Sequence, residues 1–583
     1  MKYLAPITLL LTLSVFTSSM AAASTVAVEV NGVTGEVLKN VLTYLSINEY
    51  QDYTSLTEGR IKQLHDKADK EITAALKPFG YYRPSITKQL NRIDQDKWQA
   101  VYNIEPGPPL LIGSLQLDIS GPGKSDPEFQ KQIEKFPLHV GDILNQQVYE
   151  SAKSGLIKIA AERGYFDGRL VEHRIEIDLT AYSAAIELHY ESGPRYRLGP
   201  VRFDQDVLNT DLLQRYIPFN EGDPFDIEKV LDLQQALNDS QYFNDVEINL
   251  QRDDILENHE VPVKVFLAPR KRHNYLFGIG YGTDTGARGK IGWEMPRVNA
   301  RGHRWDSELK LAENGNSLTA GYHIPVFDPR TDELSFTGGV VTEKTDTADS
   351  LIRTLGMNLA HVRGDWKENV SLSYQDEDYT IAGVDDHSTL LMPGISWSRI
   401  WAEQELIPLV PRFGARLIVD FRGASDGLVS DTSFFQNKTH LKIVVPAGDR
   451  NRLLARGTLG TTIVDQFATL PASVRFFTGG STTVRGYSYN SLGPKDANGE
   501  VVGGKYLLVG SLEFEHKFTP RWAWAVFYDI GNAIDDFNDP LKEGAGGGIR
   551  WQSPVGPVRL DVGFALSENT RPWEIHFNIG PDL

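Results

Sequence analysis

The stretch Gly479-Gly-Ser-Thr-Thr-Val-Arg-Gly-Tyr487 places one cation, Arg485, among small and flexible neighbours that let the backbone fold back tightly. A guanidinium grips carboxylates through paired, charge-assisted hydrogen bonds. The chemistry on offer is therefore ion-pair latching rather than turnover. Two acids downstream are placed to serve it. In Trp522-Ala-Trp-Ala-Val-Phe-Tyr-Asp529 the even positions carry large aromatic and apolar side chains, and the odd positions carry Ala523, Ala525, Phe527 and Asp529. A period of two sends these sets to opposite faces of a strand, the carboxylate on one of them. In Leu512-Glu513-Phe514-Glu515 the acids likewise oppose the apolar residues. Arg485, with Val484, Gly486 and Tyr487 around it, is thus a candidate latch onto Asp529 and Glu513. The alternative is an arginine on an exposed loop, with both acids paired elsewhere.

No reaction chemistry competes with that reading. The chain has no His-Glu-x-x-His metal helix and no nucleophile elbow. Gly278-Ile-Gly280-Tyr-Gly282 has the glycine spacing of a phosphate loop but lies in an alternating strand with no helix after it. Asp535, Asp536 and Asp539 read as a solvated turn rather than a calcium loop. The expectation is a non-enzyme with no catalytic residue, no metal site and no cofactor. The absence of cysteine excludes disulfides and thiolate metal sites. A net charge of −18 argues against nucleic acid as a partner.

The elements that position the latch fall into two textures. Before them, Met1-Lys2, the short apolar run Ile7–Phe16 and Ala21-Ala-Ala23 follow the charged, apolar, small-residue order of a secretory signal peptide, residues 1–23. From 24 to 270, landmarks recur at intervals of roughly eighty residues, as tandem copies of one unit require. An aromatic pair closes a helix at Gly80-Tyr-Tyr82, Gly164-Tyr-Phe166 and Gln241-Tyr-Phe243. Gly107-Pro108…Gly113 matches Gly193-Pro194…Gly199, and Gly141-Asp142 matches Gly222-Asp223. The units are 24–106, 107–192 and 193–270, each reading strand, helix, helix, strand, strand. Their aromatic pairs are core residues under the helices. Their open sheet edges permit β-augmentation by a partner.

From about 271 to 583 helical periodicity vanishes. With 52 glycines, 23 tyrosines and 10 tryptophans in the chain, short two-faced strands follow one another to the end. Mean hydropathy is −0.30, so this is no helical membrane protein. At ~10 residues per tilted strand plus turns, the segment holds about 16 strands of an antiparallel transmembrane barrel. A closed barrel is favoured over a sandwich because lipid tolerates no unpaired edge. Tyr275–Gly282 is glycine-rich for a closing strand, which weakens pairing. If it meets the last strand, 573–580, then Gly278, Gly280 and Gly282 facing Ile575 and Phe577 mark the softest line of the barrel. The bland alternative is that these glycines make room for a loop in the lumen.

Leader, repeats, barrel, Val-Arg-Gly-Tyr at 484–487 and Phe-Tyr-Asp-Ile-Gly at 527–531 together resemble the POTRA-plus-barrel superfamily of outer-membrane assembly and transport proteins. In that family the loop arginine lies in the lumen against acids of the following strands, which by motif match are Asp529 and Glu513. Three repeats look like its translocation-and-assembly-module (TamA) branch; the main assembly subunit carries five, and two-partner secretion transporters two. The resemblance implies a bacterial outer-membrane barrel with periplasmic repeats. It implies insertion or secretion of client proteins, autotransporters among them, through the barrel seam. Its partners would be outer-membrane lipid, clients and an inner-membrane-anchored, TamB-like protein. A substrate-specific channel or two-partner-secretion-type transporter is the alternative.

Overall fold

The computed structural model describes residues 24–51, 53, 56–252, 255, 258–402, 413–553 and 556–579. The expected leader lies outside them. Three small sheets, each of three strands, precede a single sheet of sixteen. In the first repeat β1 (Thr25–Asn31) leads through α1 (Gly35–Tyr44), α2 (Ser46–Glu49) and α3 (Glu58–Leu76) to β2 (Ser85–Asp94) and β3 (Lys97–Glu105). The second runs β4 (Leu111–Ser120), α4 (Pro127–Glu134), α5 (Gln146–Glu162), β5 (Arg169–Asp178) and β6 (Ser183–Glu191). The third runs β7 (Arg197–Asp204), α6 (Thr210–Gln214), α7 (Ile227–Asp239), β8 (Phe243–Leu250) and β9 (Glu260–Pro269). The last strand of each repeat lies in the middle of its sheet. The first strand joins it in parallel in the first two repeats. The outer two strands form its edges, and the starts of β4 and β7 are bridged there by Ile143 and Pro224.

The helices bury one stripe each against these sheets. In α3, Ile61, Leu64, Ala68, Ile72 and Ala75 recur at helical spacing and are wholly buried, with Trp98, Ala100 and Tyr102 opposite on β3. The aromatic pairs are core residues as expected, but the two rings of a pair serve different cores. Tyr81 packs on the first core and Tyr82 on the second. Phe166 meets Tyr196 and Phe225 of the following repeat at 5.3 and 5.0 Å. Adjacent residues of an extended segment point to opposite sides, so one ring fills its own repeat and the other seals the junction.

Packing divides the chain into two compact units whose boundary runs through the third repeat. One holds residues up to Pro200 with Asn220–Glu228 and Gln251–Pro262; the other holds Val201–Phe219, Lys229–Leu250 and everything from Val263. Within the second unit, the Tyr242 hydroxyl donates to the Gly302 carbonyl at 2.6 Å.

The sixteen strands run as an antiparallel meander from β10 (Asn274–Gly282) to β25 (Trp573–Ile579). Alternation sorts their side chains. On β22 (Trp522–Ile534) Trp522, Trp524, Val526 and Tyr528 are exposed, whereas Ala523, Ala525, Phe527 and Asp529 are buried. The wall is uneven. β15 (Ala348–Arg363), β16 (Trp366–Ile381) and β17 (Val384–Ala402) have 16, 16 and 19 residues, against 9 in β10. Among the described residues no helix is long and apolar enough to cross a membrane, which has no bearing on strands.

Candidate functional site

Arg485 sits in the long connection between β20 (Asn451–Val464) and β21 (Tyr506–Lys517). This segment folds into the barrel. Bridges Phe476–Gly504 and Thr478–Leu492 pinch it into a hairpin-like arch. Val484, Tyr487 and Leu492 bury themselves with Ala565 of β24 (Gly556–Ala565). At Gly486 the backbone has φ +96°, and a Cβ there would stand 2.6 Å from the Phe564 carbonyl carbon. Only glycine combines that conformation with that approach. The wall reciprocates: a Cβ at Gly544 of β23 (Lys542–Ser553) would lie 2.0 Å from the Arg485 carbonyl oxygen. The tip of the arch therefore rests on bare backbone.

That seating leaves Arg485 only 2% exposed. Nε and Nη2 donate to the two Asp529 oxygens at 2.7 and 2.9 Å. Nη1 donates to Glu513 at 2.7 Å and to Asp561 at 3.3 Å. The Arg485 backbone N–H also donates to Asp529, at 3.1 Å. The ring of Phe527 lies under the guanidinium, with Cζ 3.4 Å from its centroid. A second arginine shares two of these acids. Arg550 donates to Glu513 at 2.7 Å and to Asp561 at 2.6 Å. Two cations thus share three buried acids, each acid with at least one guanidinium. Burying acid groups this far from water is costly unless they are paired and hydrogen-bonded.

The sequence reading brought Arg485, Asp529 and Glu513 together, and the structure places them in contact. It missed Asp561, Arg550 and Ser511, whose hydroxyl donates to Asp529 at 2.5 Å. Asp561 had a visible signal, since it alternates with Val558, Leu560 and Val562. The acids at 535–539 form a turn in which Asp539 accepts from the Asp535 and Asp536 amides at 3.0 Å.

The arch also touches both strands at the barrel's join. The Ser481 amide donates to Asp284, just beyond β10, at 3.0 Å. The Gly486 amide donates to His576 Nε2 on β25 at 2.8 Å, and the Ser488 hydroxyl bonds Glu574. Between β10 and β25 themselves, no backbone ladder occurs among the described residues. One bond joins the pair there, from the Phe577 amide to Thr283 Oγ1 at 3.3 Å. Gly278 and Gly280 face the stems of Lys290 and Arg288 on β11 (Gly286–Met295), where an added Cβ would come within 2.9 and 3.1 Å. Their missing side chains make room for these basic neighbours rather than for the arch. Gly282 lies at the end of β10 near Phe577, and Ile575 is exposed on the outer face.

Residues 402–582 match the Omp85 superfamily domain. Residues 27–106 match the first POTRA domain of TamA, and 196–270 match a POTRA model described as a surface antigen variable number repeat. The chain carries an Omp85 superfamily domain behind POTRA domains. It is 24% identical over 572 residues to the outer membrane protein assembly factor BamA of Nitratidesulfovibrio vulgaris, covering 90% of this chain and 70% of that one. The BamA of Neorickettsia risticii is 21% identical over 546 residues, 86% of this chain and 70% of its own. The crystal structure of Haemophilus ducreyi BamA lacking POTRA domains 1–3 superposes with a TM-score of 0.67 at 16% identity. It matches 81% of this chain and 99% of that one, and so shares the fold. The Omp85 barrel lies in the outer membrane and the POTRA domains in the periplasm.

Proposed function

We propose that this chain is an outer-membrane assembly and translocation factor that passes client β-segments, autotransporter-like chains among them, through the join between β10 and β25. The observation that carries the reading is the unzipped join. Among the described residues, two strand edges lie side by side with one side-chain bond between them, and their unpaired N–H and C=O groups are a template for an incoming strand. A passive channel is less well supported, because the arch occupies the lumen and is tied to its wall at several points. The first POTRA domain, matching the TamA type, is the proposed docking point for a TamB-like, inner-membrane-anchored partner. Its edge strands β1 and β2 offer the pairing surface.

The test is a disulfide across the join. Thr283 and Phe577 are already adjacent, and the chain has no cysteine to interfere. Cysteines at these two positions should cross-link on oxidation, stop client assembly, and release it again on reduction. Undiminished assembly with the join fully cross-linked would remove it from the mechanism.

A further inference from the structure

The wall across the lumen from the join carries cations that the latch does not use. In register, Arg416 of β18 (Gly414–Ala424) stands beside Lys442 of β19 (Phe434–Pro446), and Lys442 beside Arg456 of β20. Along β19, Lys438, His440 and Lys442 occupy alternate positions, so they share the inward face. Arg422 lies further up β18 on that same face. One acid, Asp420 of β18, stands in register with Lys438, and Arg416, Lys442 and Arg456 lie beyond it toward the start of β18. Among the described residues no carboxylate lies within 4.0 Å of Arg416, Lys438 or Lys442. Arg456 Nη2 has only Asp529, at 3.8 Å, which is already held by Arg485. Arg416 Nε and Arg456 Nη2 are both buried without a hydrogen-bond acceptor. Beside Lys438 and Arg422 lies a cavity of about 310 Å³, also lined by Asp420, Ser371, Ser396 and Gln436, in which Arg422 already donates to Gln436 at 2.8 Å.

We infer that this stripe binds an acidic, extended polypeptide segment inside the barrel. Buried donors without acceptors call for an acceptor, and the adjoining charges of Arg416, Lys442 and Arg456 favour one that is negative. Spacing defines its shape. Alternate residues on one strand are ~6.8 Å apart and neighbouring strands ~4.8 Å apart, so Lys438, His440 and Lys442 match carboxylates at every second position of an extended chain. A free phosphate engages one pair of these cations; an alternating acidic strand engages several together. The barrel wall separates the stripe from lipid. Arg416 and Lys442 lie toward the periplasmic end, near the start of β18, so a chain entering from that side meets them first. The assignment deepens the assembly reading and rests on it.

The experiment measures binding of fluorescent peptides to the full-length protein in nanodiscs. The probes are a short peptide alternating Glu and Thr, the same peptide with Gln for Glu, and inorganic phosphate as competitor. The acidic peptide should bind in a salt-sensitive manner, and Arg416→Gln with Lys442→Gln should weaken it about tenfold, equivalent to ~1.4 kcal/mol. The double variant should keep the heat resistance of the folded barrel. Should it fail to fold, Lys438→Gln at an exposed position gives the same reading. Equal binding of the Gln peptide, an unchanged affinity in the variants, or displacement by phosphate at concentrations equal to the peptide's would overturn the proposal. Peptide binding needs no open join. Loss of binding beside an intact effect of the Thr283–Phe577 cross-link therefore condemns the stripe alone, and the converse condemns the join.

Discussion

At the scale of single residues, the latch depends on geometry as much as on charge. Arg485 meets Asp529 edge-on through two donors and still reaches Glu513 and Asp561 with the third nitrogen. Lysine has the charge but not the fork. Arg485→Ala leaves Asp529 buried with the backbone amide of residue 485, Ser511 and a distant Arg456 but no guanidinium in contact, a loss on the order of 3–5 kcal/mol. Arg485→Lys should fall between that variant and the native protein. The measurement is the temperature at which the folded barrel loses its altered mobility on semi-native gels. Native heat resistance in Arg485→Ala would show that the network does not hold the barrel together. Arg550 should matter comparably, because it joins Glu513 to Asp561 without the arch.

At the scale of elements, the arch is a clasp as well as a plug, since it reaches Asp284 on one side of the join and Glu574 and His576 on the other. Its seating hinges on Gly486. Alanine there has to adopt φ +96° and place a methyl 2.6 Å from the Phe564 carbonyl carbon and 2.8 Å from the Ala565 nitrogen. Neither backbone atom can step aside, so Gly486→Ala should lift the arch off β24 and β25 while leaving the strands paired. Trypsin should then cut at Arg485 in the folded, membrane-embedded protein. Continued protection would mean that the arch is held without this contact. Much of this element was readable beforehand, because period-two alternation tells which face a side chain takes, and Asp529 and Glu513 followed from it. Alternation does not tell height along the barrel axis. Whether Asp561 lies level with Arg485 depends on the stagger of β22, β23 and β24, which hairpin lengths set and composition does not. Asp561 and Arg550 escaped for that reason. The glycines of β10 pointed to a weak edge, yet what fills their space, Lys290 and Arg288, comes from the facing strand.

At the scale of the whole molecule, the two units differ in what holds them. The first two repeats have cores of their own; the third, besides its buried Leu233, Leu237, Val261 and Val265, sets Leu212 and Tyr242 against Gly302 within the barrel's unit, a packing the repeat landmarks carried no trace of. A fragment of residues 24–195 should therefore unfold cooperatively, and one extended to 269 should additionally expose apolar surface and bind a hydrophobic dye. The shorter fragment also has a built-in pH response. His65, 8% exposed on α3, shares a 3.0 Å hydrogen bond with the Tyr102 hydroxyl beneath the helix. Burial, reinforced by Lys88, holds its imidazole below the usual value of 6.5, while Asp66 and Asp69 pull weakly the other way. The unfolded chain consequently takes up this proton before the folded one does. Stability is present in full above about pH 6.5 and falls as the pH drops below it. The urea midpoint of the fragment should decline between pH 7.5 and 5. His65→Gln, whose amide can still meet Tyr102, should flatten that part of the profile. If the variant declines as steeply as the native fragment, the response belongs to other groups and the buried histidine is not its source.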